Sequence, residues 1–536
     1  MRWVRTIGAQ TDDPPETLGG KAHGLVAAHR LGLPVPDAFV VTTEACREFR
    51  RTGRLPEGLL AEVTSAVGVL ESATGRTFGG STAPLAVSVR SGAATSMPGM
   101  MSTILNLGLT TTATAALARE TGDTPFARGA RLGFLTSAAS AFTGATAAPT
   151  AEAPGGAPLA DAIRAAETFL AQRLGGPVPD DAAGQLVWAL RTVFSSWDAP
   201  RARTYRDLHD IPHDLGTAVI VQVTVFGNRD ERSGTGVAFS RDPNTGEPVP
   251  FGDVAFERQG DDVVSGRSAT RPLGELADRE PAVWAGLVDA LDRVERRLRD
   301  ACYVEFTYES GRLWILQVRP GRFVGRAALR VAVDLADEGL LGRREALRRV
   351  TPRDLEHART PRIAASDDDI VLGRGVGACP GVVSGRVATS SDSATRLASG
   401  GPVVLVRPET SPLDMRGLAA AGGVVTARGG PASHAAVVAR AMGKPAVVGA
   451  GGLTVDATDG SVTAAGRTVA DGTVITIDGT GGEIVLGRPR TVTGDVDRHR
   501  DRLLSWADDA SGDHSERSGT QRLRDAHTAL HTTEEQ

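Results

Sequence analysis

The chain has 536 residues, of which 41% are hydrophobic and 23% charged, with a formal net charge of −5. That length exceeds what one core usually organises, so two or three domains are expected. The composition is that of an ordinary water-soluble protein and excludes a global basic field of the kind that binds nucleic acid. Met1–Gln10 lacks the apolar run of a secretory leader, and no later stretch sustains about 18 apolar residues, so a cytoplasmic protein is expected. Cys46, Cys302 and Cys379 are few, odd in number and far apart, which predicts buried free thiols rather than disulfides or a zinc site. Among the basic residues only Lys21 and Lys444 are lysines. A lysine kept against an arginine background suits a place where a compact ammonium must approach phosphate; chance is the alternative reading.

From Gly19 to Arg319 short β-rich runs alternate with helical patterns, an α/β or α+β signature. Leu18–Gly19–Gly20–Lys21–Ala22 sets Lys21 after two glycines, just before a helix, as a phosphate contact or as an ordinary surface lysine. It is not a Walker A loop, because Pro15 and Ala22 stand where that motif needs glycine and Ser or Thr. The strand Leu85–Val89 leads into Arg90 and a small-residue loop that carries Met97, Met100 and Met101. Arg90 suits bidentate capture of phosphate oxygens, or pairing with a carboxylate; the methionines suit a ligand-covering loop or core filling. Between Thr136 and Pro158 the chain is rich in Ala, Thr, Ser, Gly and Pro and nearly uncharged, which predicts a mobile loop.

Tyr303 to Arg319 predicts a hairpin turning at Ser310–Gly311. Alternation places Gln317 and Arg319 on one face and Glu305 beside Thr307, so that a carboxylate, an amide and a guanidinium can converge on Mg²⁺ and polyphosphate; a salt-bridged, solvated sheet face is the alternative. Ala327–Glu356 predicts two surface helices as a linker, and 370–487 a compact Gly- and Val-rich domain. Its strands are expected near Pro402–Val406, Gly423–Thr426, Ala446–Gly449 and Thr473–Ile477. Beyond Arg488 mixed charges predict a partly helical or disordered tail.

Within that second domain, the strand ending at Thr426 is followed by Gly429–Gly430–Pro431–Ala432–Ser433–His434 and an Ala-rich helix that closes at Gly443. Ser433 suits the N-cap and Gly443 the C′ position, placing His434 in the first turn. Backbone N–H groups and the positive end of the helix dipole favour an anion there, including a phosphoryl group on the imidazole. The same placement disfavours the imidazolium and leaves a nucleophilic nitrogen. A surface helix-cap histidine is the alternative. The double glycine also allows another molecule to approach the backbone closely.

The run Arg428 to Arg440, with Cys379–Pro380–Gly381 and Arg407–Pro408–Glu409–Thr410–Ser411–Pro412 upstream, resembles the phosphohistidine segment of the pyruvate, phosphate dikinase family of PEP-utilising enzymes. The segments around Lys21, Arg90 and Glu305–Arg319, reinforced by Val225–Asn228 and Gly234–Glu247, resemble the ATP-grasp half of that family in the same order. The resemblance runs from about Pro15 to Gly487. It implies a multidomain α/β and α+β fold: an ATP-grasp nucleotide-binding domain (1–325), a helical linker and hinge (326–369), a swivelling β/β/α phosphohistidine domain (370–490) and a charged tail (491–536). It further implies that His434 is the phosphoryl carrier, that Lys21, Arg90, Glu305, Gln317 and Arg319 bind ATP, and that Glu305 and Gln317 hold its Mg²⁺.

In that family the histidine attacks the β-phosphate, inorganic phosphate trims the pyrophosphoryl product, and a large barrel binds pyruvate or phosphoenolpyruvate. The segment after Arg488 is too short for such a barrel, so a separate barrel protein, or another acceptor, is expected. Three departures stand out. Ala432 replaces a regulatory threonine, Tyr303 replaces an acidic residue near the metal site, and the segment 136–158 lacks lysines that contact phosphate, for which Arg128, Arg131 or Arg164 are candidate substitutes. They keep two other classes in view: a catalytically impaired regulatory or scaffolding relative, and a small-molecule kinase with a histidine shuttle.

Overall fold

A computed structural model describes the chain apart from Met1, Ser96, Pro98, Gly99, 144–157, Gly175, His209, 261–269, Arg322, 359, 360, 365, 367, 368, Ala432, 494–497 and 533–536. The chain divides into two compact units. The first is Met1–Glu231 with Thr307–Ser310 and Trp314–Val318; the second is Arg232–Phe306 with Gly311–Leu313 and Arg319–Gln536. The expected 1–325 domain therefore contributes to both. Among the described residues no helix is long and apolar enough to cross a membrane, and all three cysteines are free and buried.

In the first unit, Val87–Gly92 alternates buried Val87 and Val89 with half-buried Ser88 and Arg90, a period of two that gives the strand a core face and an open face. It lies in an antiparallel sheet of order Val4–Thr6, Ala38–Val41, Ala218–Val223, Val87–Gly92, Thr103–Leu107. Phe39, Val41, Val87, Val89, Val219 and Val221 form one core with residues of the helices Leu59–Thr74, Thr124–Thr143 and Ala182–Ser196. Each large side chain buried this way contributes about 1.5–3 kcal/mol. The helix Thr124–Thr143 takes in positions 136–143, which were expected in a mobile loop. Ala138 and Ala139 are fully buried there, so the small residues serve close packing. The rest of the expected loop, 144–157, lies outside the described residues.

A second five-stranded sheet has the order Arg271–Pro272, Phe251–Phe256, Gly234–Phe239, Cys302–Glu309, Arg312–Pro320. The hairpin turns at Ser310 (φ 50) and Gly311 (φ 77), two left-handed residues as a type I′ turn requires.

An eight-stranded sheet follows, of order Val371–Arg374, Glu483–Leu486, Val474–Asp478, Val382–Ala388, Val403–Arg407, Gly423–Thr426, Ala446–Val448, Val376–Cys379. Its four middle strands from Val382–Ala388 to Ala446–Val448 are parallel, linked by the crossover helices Ser391–Ala398, Met415–Ala420 and His434–Met442. A three-stranded antiparallel sheet, Leu453–Asp456, Ser461–Ala464 and Arg467–Ala470, which the sequence analysis did not anticipate, shares its core through Leu453, Val462 and Val469.

The 326–369 linker region holds three helices, Gly325–Asp337, Arg343–Arg349 and Pro352–His357, and they are not merely surface helices. Leu329, Leu335 and Leu347 are buried against the helices Arg498–Ser511 and Gly519–Thr532. The segment expected as a charged tail thus supplies Leu503, Leu504, Trp506, Leu523 and Leu530 to a helical core. Leu523→Ala should lower stability by about 2–4 kcal/mol, the cost of a buried leucine cavity. Calorimetry checks this; an unmoved melting transition would mean that the helix does not dock in solution.

Candidate functional site

Ligands of open α/β sheets gather at the carboxyl ends of the parallel strands. His434 is built into that edge. Arg407 and Thr426 pair as the last rung of two neighbouring parallel strands. From the first strand the chain runs on to Glu409 and Thr410; from the second it runs through Arg428 and Gly429 (φ 94) to the helix His434–Met442. Gly443 in the left-handed conformation ends this helix, as expected. Glu409, Thr410, Thr426, Arg428, Ser433, His434 and Ala435 together line one pocket.

The imidazole is held at one nitrogen. His434 Nδ1 lies 3.1 Å from Thr410 Oγ1, while the buried Nε2 has no hydrogen-bond partner among the described residues. Burial holds the imidazole down to about 4, against a smaller opposing pull from Asp414. The ring is therefore neutral at ordinary pH, as expected, but desolvation rather than the helix dipole is the main cause. Two more buried oxygens of the same pocket, Thr426 Oγ1 and Ser433 Oγ, also lack partners among the described residues. A buried polar group left unpaired costs about 1–3 kcal/mol, so three in one pocket call for an explanation.

Two cations flank the His434 helix, Arg440 on the helix itself and Lys444 beyond its C-terminal end. Arg440 is buried and donates from Nη1 to Ala378 O at 2.8 Å and from Nη2 to Pro431 O at 2.5 Å, tying the loop before His434 to its own helix. Burial lowers its guanidinium to about 10, and it stands 5.3 Å from the Phe239 ring centroid. The signal in the sequence was a lone charge amid Ala435, Ala436, Val438 and Ala439, all buried. Lys444 does not serve phosphate here: its Nζ donates to Leu418 O (2.8 Å) and Ala419 O (2.5 Å), capping the helix Met415–Ala420. The close approach allowed by Gly430 is made by the chain itself, since a side chain there would stand 2.2 Å from Asp253 Oδ2.

The nucleotide-binding candidates fall into both units. In the first, the turn at Gly19 (φ 78) is pressed on the end of the Arg90 strand, where an added Cβ would stand 1.7 Å from Gly92 O, and Gly20 N donates to Ala93 O at 2.9 Å. Lys21 follows directly. Arg90 Nη1 reaches Leu316 O at 3.4 Å, and Gly24, one turn beyond Lys21, sits where a Cβ would be 2.6 Å from Val318 O. Lys21, Arg90 and Gln317 are thus brought to one neighbourhood.

In the second unit Arg319 lies 4.0 Å over the ring of buried Tyr303, whose hydroxyl burial pushes far above its ordinary range. The same guanidinium hydrogen-bonds the Tyr303 hydroxyl, so the tyrosine holds Arg319 by both its ring and its oxygen. Glu305 is half-buried on the same hairpin. Among the described residues no cluster of three His, Cys, Asp or Glu gathers; Mg²⁺ on a nucleotide needs only one or two protein carboxylates, and Glu305 is the carboxylate candidate in this unit. Arg131 is committed to Glu167 (2.7 Å) and Asp180 (3.2 Å), and Arg164 to Asp161, so neither stands ready to replace a lid lysine.

A region that carries the nucleotide-binding candidates, followed by a β/β/α domain whose half-buried histidine is tethered at one nitrogen, is an architecture of the phosphohistidine-type class of multidomain protein. Residues 51–272 match the model of the pyruvate phosphate dikinase AMP/ATP-binding domain, and residues 400–482 that of the PEP-utilising enzyme mobile domain. The chain is 40% identical over 540 residues to the pyruvate, phosphate dikinase of Rhizobium meliloti (strain 1021), covering 95% of this chain and 60% of that protein. It is 38% identical to those of Clostridium symbiosum (95% and 60%) and Giardia intestinalis (92% and 58%). In both matched regions the chain is similar to members of the pyruvate, phosphate dikinase family. It spans about 60% of the length of the curated relatives it matches.

Because the unfolded imidazole titrates near 6.5 and the folded one near 4, this group's contribution to stability is complete above pH 6.5. It is lost as pH falls through 4, to a total of about 3 kcal/mol. An NMR titration should place the His434 ring midpoint near 4. In Arg440→Met, with the Pro431 tether cut and water admitted, the midpoint should move toward the ordinary value; an unmoved midpoint would show that Arg440 does not seal the ring.

Proposed function

We propose that the chain is an ATP-dependent phosphotransferase in which His434 takes a phosphoryl group from ATP and hands it on. The observation that carries this reading is the neutral imidazole with Nδ1 engaged by Thr410 and Nε2 unpartnered in a pocket of open hydroxyls. With Nδ1–H donated to Thr410 Oγ1, the Nε2 lone pair is the nucleophile. It attacks the β-phosphorus: the N–P bond forms as the P–O bond to the α-phosphate breaks, and AMP departs with the electron pair. Inorganic phosphate then attacks the terminal phosphorus, pyrophosphate leaves, and one phosphoryl group remains on Nε2.

Lys21, Arg90 and Arg319 position the triphosphate and offset its charge. Glu305 and Gln317 would hold Mg²⁺ against the phosphate oxygens, where it supplies further charge neutralisation. The acceptor is proposed to be pyruvate on a PEP/pyruvate-binding barrel, reached by a swing about the 326–369 helices. A cytoplasmic setting fits the three free thiols.

One observation favours a second reading, a nucleotide-binding regulatory or scaffolding relative with impaired catalysis: Arg319 rests on an aromatic ring where the family has an acidic residue. Incubation with Mg²⁺, phosphate and β-labelled ATP separates the two. Acid-labile, alkali-stable label on the protein, AMP as product, and loss of both in His434→Ala are expected. Label that survives His434→Ala defeats the carrier assignment, and nucleotide binding without label supports the second reading.

A further inference from the structure

We propose that the Thr426 and Ser433 hydroxyls, with the first amides of the His434 helix, form a cradle that grips the oxygens of the phosphoryl group on Nε2 and sets its lifetime. This inference rests on His434 being the carrier. Ser433 occupies the N-cap position (φ −61, ψ 161) of a nine-residue helix yet makes no side-chain cap bond. A serine there ordinarily accepts from an amide of the first turn; this one is 5% exposed and its Oγ has no partner among the described residues. Thr426, at the end of the adjoining strand, is 1% exposed and its Oγ1 is likewise unpartnered.

Thr426, Ser433 and His434 line the same pocket, and the Thr410 contact at Nδ1 fixes the ring. A hydroxyl at a strand end, a hydroxyl at a helix start and uncapped amides are donors without acceptors. An anionic tetrahedral group supplies the acceptors they lack. Hydrolysis of the phosphohistidine needs water at phosphorus, with the N–P bond breaking and its electron pair returning to Nε2. Donors that hold the oxygens in a sealed pocket slow that step.

The test loads His434 by two routes, ATP with Mg²⁺ and phosphate, and phosphoramidate, which phosphorylates imidazole without a nucleotide site. Decay of the phosphohistidine signal is then followed by phosphorus NMR. Ser433→Ala and Thr426→Val are each expected to shorten the lifetime about tenfold, the factor for one charge-assisted hydrogen bond. Thr426→Ser should restore it, and Ser433→Ala should leave the melting transition in place because no cap bond is lost. Wild-type lifetimes in both variants overturn the cradle. If phosphoramidate loads His434 and the variants decay fast while ATP loads nothing, the cradle stands and the ATP-carrier reading fails; refusal by both routes overturns both.

Discussion

The desolvation of one imidazole organises the histidine edge of this molecule. A histidine near the ordinary value would be partly protonated at neutral pH and unable to attack; burial removes that competition. Burial in turn requires an edge that is closed without being filled. The segment after one parallel strand supplies Thr410, the end of its neighbour Thr426 and the helix N-cap Ser433, and Arg440 pulls the Pro431 loop down over them. Asp414 lies near enough to pull the other way, so the neutral state is a balance that burial wins.

Close backbone approach is the second recurrent device. The Gly19 turn meets the Arg90 strand with no room for a side chain, and Gly430 admits the Asp253 carboxylate in the same way. In both places a residue of candidate function follows within a few positions: Lys21 in one case, His434 in the other. A methyl group at Gly19 would meet the Gly92 backbone and push Lys21 out of place before it touched any ligand, whereas at Gly430 the Asp253 carboxylate would have to move aside.

Much of this was legible in the sequence. The strands Gly423–Thr426 and Ala446–Val448, the turn at Ser310–Gly311 and the helix closing at Gly443 follow from local chemistry that leaves marks of fixed period or residue type. The helices Arg498–Ser511 and Gly519–Thr532 were hidden because their apolar stripes are narrow, so mean polarity masks Leu503, Trp506, Leu523 and Leu530. The capping role of Lys444 was invisible because its partners, Leu418 O and Ala419 O, lie on another helix. Composition pointed to both lysines as phosphate contacts, and for Lys444 tertiary geometry decided otherwise.

Every residue that lines the histidine pocket falls between Glu409 and Ala435, so the site is closed within one short stretch of one sheet. Any rotation of that domain moves the ring and its pocket-lining residues as a single piece, and breaks the contacts of Gly430 with Asp253 and of Arg440 with Phe239. A group carried there would travel inside its own fixed dielectric, and the exchange of one solvent environment for another would fall only at loading and unloading. The reach of such an arm is then limited by its hinge and by docking at each end, and the distance crossed adds nothing to the chemical barrier.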